Sequence, residues 1–310
     1  MNINDKYKLL ELLGSGSYGN VYKGIEIQTD VNVAIKMNDD PFLLEREIKI
    51  YKYLWKYIHN RYCKKLQIPK LFWDGLYNTK KVIVLERLGD SLDKIFDNYK
   101  KKWSHSTIYW IAKSIIEILN ELHELGIVHR DIKPDNFSIG FDNRYKLYIF
   151  DFGLSSQYIN TSGKHVAERN GLSLIGTMRY ASINNHNGIQ QSRRDDLESL
   201  LYMLLYFWHG NLPWKNIEIK DRNERNKKIL EKKMNTINDI LPESFKPFYD
   251  YIKNLKYQER PNYKYWITYF DNLYEKNTIK QCLTKGIDWI YDYKQVSHIN
   301  IGKTYRKKRI

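Results

Sequence analysis

The stretch HRDIKPDNFSIGFDNRYKLYIFDFG, residues 129–153, decides the fold. Its apolar run Leu147, Tyr148, Ile149, Phe150 reads as a short strand ending at Asp151, and Gly153 is expected to let the chain turn sharply after it. The strand end and the loop carrying Asp131, Lys133 and Asn136 then face one cleft. Asp, Asn and Gly are common turn formers. The order and spacing of the full string are too complete for turns alone.

Two carboxylates, an amide and a lysine at this spacing suit one chemistry. Phosphoryl transfer has a loose transition state, so a protein mainly positions the reactants and neutralises charge on the phosphoryl oxygens. Asp131 would take the proton of an attacking hydroxyl and Lys133 would sit by the γ-phosphate of ATP. Asn136 and Asp151 would hold Mg2+.

A second constellation lies upstream. Gly14, Gly16, Gly19 and Val21 spell GSGSYGNV between two strand-like runs, Tyr7–Leu13 and Val21–Ile27. That predicts a glycine-rich hairpin over phosphates and argues against a dinucleotide fold, whose third glycine opens a helix. Leu13, Gly14, Ser15, Gly16, Ser17, Gly19 and Val21 are the expected nucleotide contacts here. VAIK follows at 33–36, where strand alternation puts Ala34 and Lys36 on one face and Val33 and Ile35 on the other. Ala34 with Val21 would line an adenine slot, and Lys36 would reach the α- and β-phosphates.

Ordered this way, the motifs resemble those of protein kinases. The resemblance implies an α+β, bilobal fold: a small antiparallel-sheet lobe with one main helix, and a larger, mostly helical lobe. A helix over 42–57 offers Glu45 and Glu47 as partners for Lys36, and the resemblance implies Glu47, which falls in register with the expected pattern EIKIYK. The strand Val82–Glu86 would lead into a hinge over 85–89, with the Leu85 side chain and backbone groups near Glu86 and Leu88 facing adenine. The divisions implied are 1–88, 89–278 and a short basic extension, 279–310.

The helical lobe is visible as periodicity. Ser104 or Ser106 can cap a helix in which Ile108, Ile111, Ile115, Leu119 and Leu122 recur, with Gly126 as its stop. Another buried helix fits 196–208, and Asp196 at its start could accept backbone hydrogen bonds from the catalytic loop. His123 and His129 read as structural.

Length and composition agree. A chain of 310 residues, 42 % hydrophobic, can bury a core for one bilobal domain and leaves no room for a second catalytic one. Cys63 and Cys282 form no disulfide framework or zinc pattern. The N-terminal MNINDKYKLLELLG lacks a signal-peptide core, and the longest apolar run is too short to span a bilayer. A monomer in the reducing cytoplasm and/or nucleus, away from membranes, is expected. The 51 basic against 36 acidic residues, a formal +15, favour acidic or phosphorylated partners and permit nucleic-acid contact. Basic residues concentrate at 215–233 and 303–309.

Within the kinases the chain resembles the casein kinase 1 group over residues 7–275. The marks are Asp135, Asn136, Phe137 closing the catalytic loop, GTMRYASINNHNG at 176–188, QSRRDDLESL at 191–200, LPW at 212–214 and EKKM at 231–234. Ser182, Ile183 and Asn184 stand where most kinases carry Ala-Pro-Glu. The resemblance implies a Ser/Thr kinase for acidic or phosphoprimed proteins, with Lys133 pointing the same way. It also implies an anion site built from Arg179, Gly210 and a lysine beyond LPW; Glu218 occupies that place, with Lys215 and Lys220 as substitutes. The longer stretch 52–69 and the HNG of 186–188 are similar to vaccinia-related kinases, which suggests chromatin or DNA-associated proteins as alternative substrates. A pseudokinase scaffold is the third alternative.

Overall fold

The computed structural model describes residues 2–16, 19–59, 66–280 and 287–290. Ser17, both cysteines and the basic stretch 303–309 lie outside these.

Six strands form one antiparallel sheet in the order β1-β2-β3-β4-β6-β5: β1 (Asn2–Ile3), β2 (Tyr7–Gly16), β3 (Gly19–Glu26), β4 (Asn32–Asn38), β5 (Leu71–Tyr77) and β6 (Lys80–Glu86). Cross-strand pairs Val21↔Lys36, Ala34↔Leu85 and Lys36↔Ile83 put these side chains on one face. Val33, Ile35, Val82 and Val84 occupy the other, with Ile3 and Tyr7, in a small core of their own. The hairpin runs longer than its apolar pattern, because Gly14 pairs with Val21 and Gly16 with Gly19. The strand expected from Val82 begins at Lys80, since Asn78 and Thr79, both with positive φ, make a tight turn pairing Tyr77 with Lys80.

Helix α1 (Pro41–His59) lays Leu44, Ile48, Tyr51 and Leu54, spaced at three and four residues, into the main core. The chain then crosses to a second, helical layer: α2 (Leu92–Asn98), α3 (His105–Glu124), α4 (Ile183–His186), α5 (Arg193–His209), α6 (Arg222–Ile240), α7 (Lys246–Asn254) and α8 (Tyr263–Lys280). Ser104 rather than Ser106 caps α3, accepting from the Thr107 N–H at 3.3 Å, while Ser106 is buried in the first turn. In α5, Leu197, Leu200, Leu201, Leu204 and Leu205 are all buried, as the apolar density predicts. The helix starts three residues earlier than expected, because Asp195 accepts from the Ser192 N–H at 2.7 Å.

Two small ribbons sit between the layers. β7 (Ile127–Val128) pairs with β10 (Ser156–Gln157), and β8 (Phe137–Ile139) with β9 (Leu147–Ile149). They deliver the two loops of the opening stretch to the same place.

Candidate functional site

Lys36 lies on β4, Glu47 on α1, and Asp151 just after β9. The Lys36 Nζ is 2.6 Å from Glu47 Oε2 and 2.9 Å from Asp151 Oδ1. Burial pulls the lysine down, but the two carboxylates outweigh it and hold its pKa above the usual range. Asp151 is net lowered: burial opposes ionisation and the Lys36 charge prevails. Of the two glutamates, Glu47 faces inward, while Glu45 lies 3.7 Å from Lys49 on the outside.

Asp131 is 7 % exposed and both its oxygens are engaged. Oδ1 accepts from the Thr177 N–H and hydroxyl, each at 2.9 Å. Oδ2 lies 2.7 Å from Lys133 Nζ and 3.3 Å from Asn136 Nδ2, and the same amide donates to the Asp131 carbonyl at 2.8 Å. Burial alone would lower the Lys133 pKa; the Asp131 charge raises it instead. Asp131, Lys133 and Asn136 thus form one hydrogen-bonded unit, and Thr177 joins it from 46 residues away.

Thr177 is not among the residues the sequence pointed to, where GTMRY stood as a family mark and as the source of Arg179. Its signal was Gly176 beside it. A Cβ there would come 2.6 Å from the Arg130 carbonyl and 3.0 Å from Asp131 Oδ1, at φ +85°. Only glycine lets the segment approach this closely.

Helix α5 holds the loop from below. Asp196 Oδ2 accepts from the His129 N–H and Oδ1 from the Arg130 N–H, both at 2.8 Å. His123 Nε2 adds a 2.9 Å contact and its Nδ1 meets the Tyr263 hydroxyl at 2.5 Å, so His123 is structural. His129 likewise packs its ring on Phe152, 5.3 Å between centroids, and Tyr51 of α1 meets Phe152 from the other side at 5.1 Å. This stack joins the layers beneath Lys36 and Asp151.

One expectation is corrected. The sharp turn after β9 is made by Asp151 itself, at φ 65°, while Gly153 sits within a 3-10 turn over Phe152–Leu154. The left-handed conformation is held by the Lys36 contact and by the buried Phe152 that follows.

The glycine hairpin leaves open space: a Cβ at Gly14 or Gly16 would meet no atom within 4 Å. At the hinge, the Glu86 N–H is committed to the Lys70 carbonyl at 2.8 Å. Leu88 helps line a cavity of about 280 Å³ with Arg87, Asp90, Ile139 and Arg144. That hollow lies beside the hinge and does not include Lys36, Asp131 or Asp151.

A family model of the protein kinase domain matches residues 7–285. The chain belongs to the protein kinase family. As a protein kinase it is a phosphotransferase, and its antiparallel sheet and larger helical part are the two lobes of that fold. No helix among the described residues is long and apolar enough to cross a membrane.

The residues assigned to anion binding come from separate parts of the chain. Arg179 follows Thr177 by two positions, its guanidinium 5.7 Å from the Tyr180 ring. Gly210 ends α5, and a Cβ there would come 3.1 Å from the Lys101 carbonyl. The Lys215 pKa is lowered by burial and then by the nearby charges of Lys101 and Arg179, with Asp97 opposing them. Lys101, 3.3 Å from Asp97, was not singled out in the sequence.

Proposed function

We propose that this protein kinase transfers the γ-phosphate of ATP, with Mg2+, to Ser or Thr of acidic or phosphate-bearing proteins, in the manner of casein kinase 1. The observation that carries the reading is the double engagement of Asp131: Thr177 on one oxygen, Lys133 and Asn136 on the other. This fixes the carboxylate to orient a hydroxyl at the end of the substrate segment. It also leaves Lys133 beside it to meet developing negative charge.

The nucleotide and metal fit the residues present. Lys36 is held charged by Glu47 and Asp151, as a phosphate contact must be, and open space lies over Gly14 and Gly16. Asp151 and Asn136 offer a carboxylate and an amide oxygen, suiting Mg2+, which keeps waters and takes the rest of its ligands from phosphate oxygens. When bound, the metal would neutralise charge on the phosphates. Val21, Ala34 and Leu85 share the face that carries Lys36, which supports an adenine slot there.

Arg179, Lys215 and Lys101 support the acidic preference. Lys215, with Lys101, supplies the positive charge that Glu218 does not.

The test is a peptide array of Ser, Thr and Tyr peptides, unprimed, acidic and phosphoprimed, with Mg2+ and ATP, comparing wild type and Arg179→Ala. Ser and Thr peptides should be labelled, and the variant should lose the preference for acidic or primed ones. Equal labelling of Tyr peptides, or an unchanged preference in the variant, would contradict the reading.

A further inference from the structure

A fully buried lysine lies where no catalytic role places it. Lys233, on α6, donates from Nζ to the Met178 carbonyl (3.1 Å), the Ala181 carbonyl (2.5 Å) and His186 Nε2 (3.0 Å). These bonds reach both ends of Met178–Ala181, the segment holding Arg179. Trp214 Nε1 donates to the Arg179 carbonyl between them at 2.8 Å. The ammonium also lies 4.4 Å from the Tyr202 ring centroid and 5.6 Å from that of Trp214.

The acceptors specify the protonation state. Asn226 donates its Nδ2 to the His186 carbonyl at 3.0 Å, so its oxygen faces His186 Nδ1 and requires the proton there. His186 Nε2 is then a lone pair. Two carbonyls and one imidazole lone pair need three N–H donors, which only the ammonium supplies. Burial draws the Lys233 pKa down to about 7, with Glu198 of α5 opposing it. The acceptors and the two ring faces add to Glu198 in holding the charge.

We propose that Lys233 is a positioning residue for the protein substrate. Its three hydrogen bonds, together with the Trp214 N–H, clamp residues 178–181 so that the segment stands preformed beside Asp131. The inference rests on reading this segment, tied to Asp131 through Thr177, as the place where a protein substrate is met. Lys36, Glu47 and Asp151 belong to a different hydrogen-bonded set, so the nucleotide should not sense the clamp.

The test measures KM for an acidic serine peptide and for ATP in wild type, Lys233→Met, Lys233→Arg and Trp214→Phe, with peptide Kd by fluorescence anisotropy and melting temperature alongside. Lys233→Met should raise peptide KM and Kd about 10-fold or more, as expected for losing hydrogen bonds from a charged donor, and leave the ATP KM within about twofold. Lys233→Arg should restore much of the peptide affinity. Trp214→Phe, which deletes the N–H to Arg179, should raise peptide KM several-fold with ATP again unaffected. A parallel rise of both KM values, or unchanged peptide affinity, would overturn the clamp. If Lys233→Met does not fold, Trp214→Phe decides by the same split. Because peptide Kd is read without turnover, absence of transfer in wild type would count against the activity and not against the clamp.

Discussion

Lys36 meets carboxylates from two other parts of the chain, one on a helix 11 residues away and one 115 residues away. Single side chains of this kind are the readable part of the arrangement, because the phosphate and metal chemistry proposed for it restricts which residue types can serve. Glu47 stands out from Glu45 by its match to the kinase pattern EIKIYK, and the structure places it inward. Thr177 was not readable, since a threonine that hydrogen-bonds a distant carboxylate leaves no periodic trace. The turn at Asp151 was given to Gly153 for a related reason. Glycine is the usual left-handed residue, but tertiary contacts can hold a carboxylate there instead.

His186 carries a pH prediction. Burial, then the Lys233 charge, pull its pKa down from 6.5 to about 3. Below pH 6.5 the unfolded chain takes up a proton that the folded chain refuses until about pH 3. Stability should therefore fall as pH drops through that window. Between pH 6.5 and 5 the loss is at most about 2 kcal/mol. Urea unfolding across this range should show a shallower fall in His186→Gln than in wild type. Identical slopes would mean that His186 does not titrate as its burial implies.

The helices were legible in proportion to their apolar stripes. α3 and α5 stood out through isoleucine and leucine spacing, and their ends followed caps that periodicity does not report, Ser104 and Asp195. β5 was not anticipated, because LFWDGLY lacks clean alternation and its residues are half-buried, with Leu76 exposed. α5 matters most to the candidate site, since Asp196 accepts from two backbone N–H groups of the loop that carries Asp131. Asp196→Ala would leave those buried donors without their acceptor and remove the partner of His123 Nε2. A loss of about 3–5 kcal/mol is expected, with a drop in kcat exceeding any change in ATP KM. Denaturant unfolding and steady-state kinetics check this. Wild-type stability and turnover in the variant would show that the loop is held by other contacts.

The two lobes, read from the order of motifs, meet through Lys36–Asp151 and the Tyr51–Phe152–His129 stack. What the sequence did not disclose is the anchoring of residues 287–290. Asp288 Oδ2 accepts from the Ser104 N–H at 2.7 Å, and Trp289 packs on Trp103 and Trp110 while its N–H reaches the Arg144 carbonyl at 3.2 Å. No motif or periodicity marks so short a segment. Trp289→Ala should cost about 3–5 kcal/mol, seen as a lower urea midpoint at unchanged slope. An unaltered midpoint would show that this segment contributes nothing to the fold.

Both lobes contribute residues to one proposed reaction, and Asp131 is the residue on which it turns. Single-turnover transfer of labelled phosphate from Mg2+ and ATP to an acidic serine peptide should be rapid in wild type. In Asp131→Asn it should be slower by about 100-fold or more, with nucleotide affinity retained. Equal rates in the two proteins would contradict the assignment of Asp131 to the substrate hydroxyl.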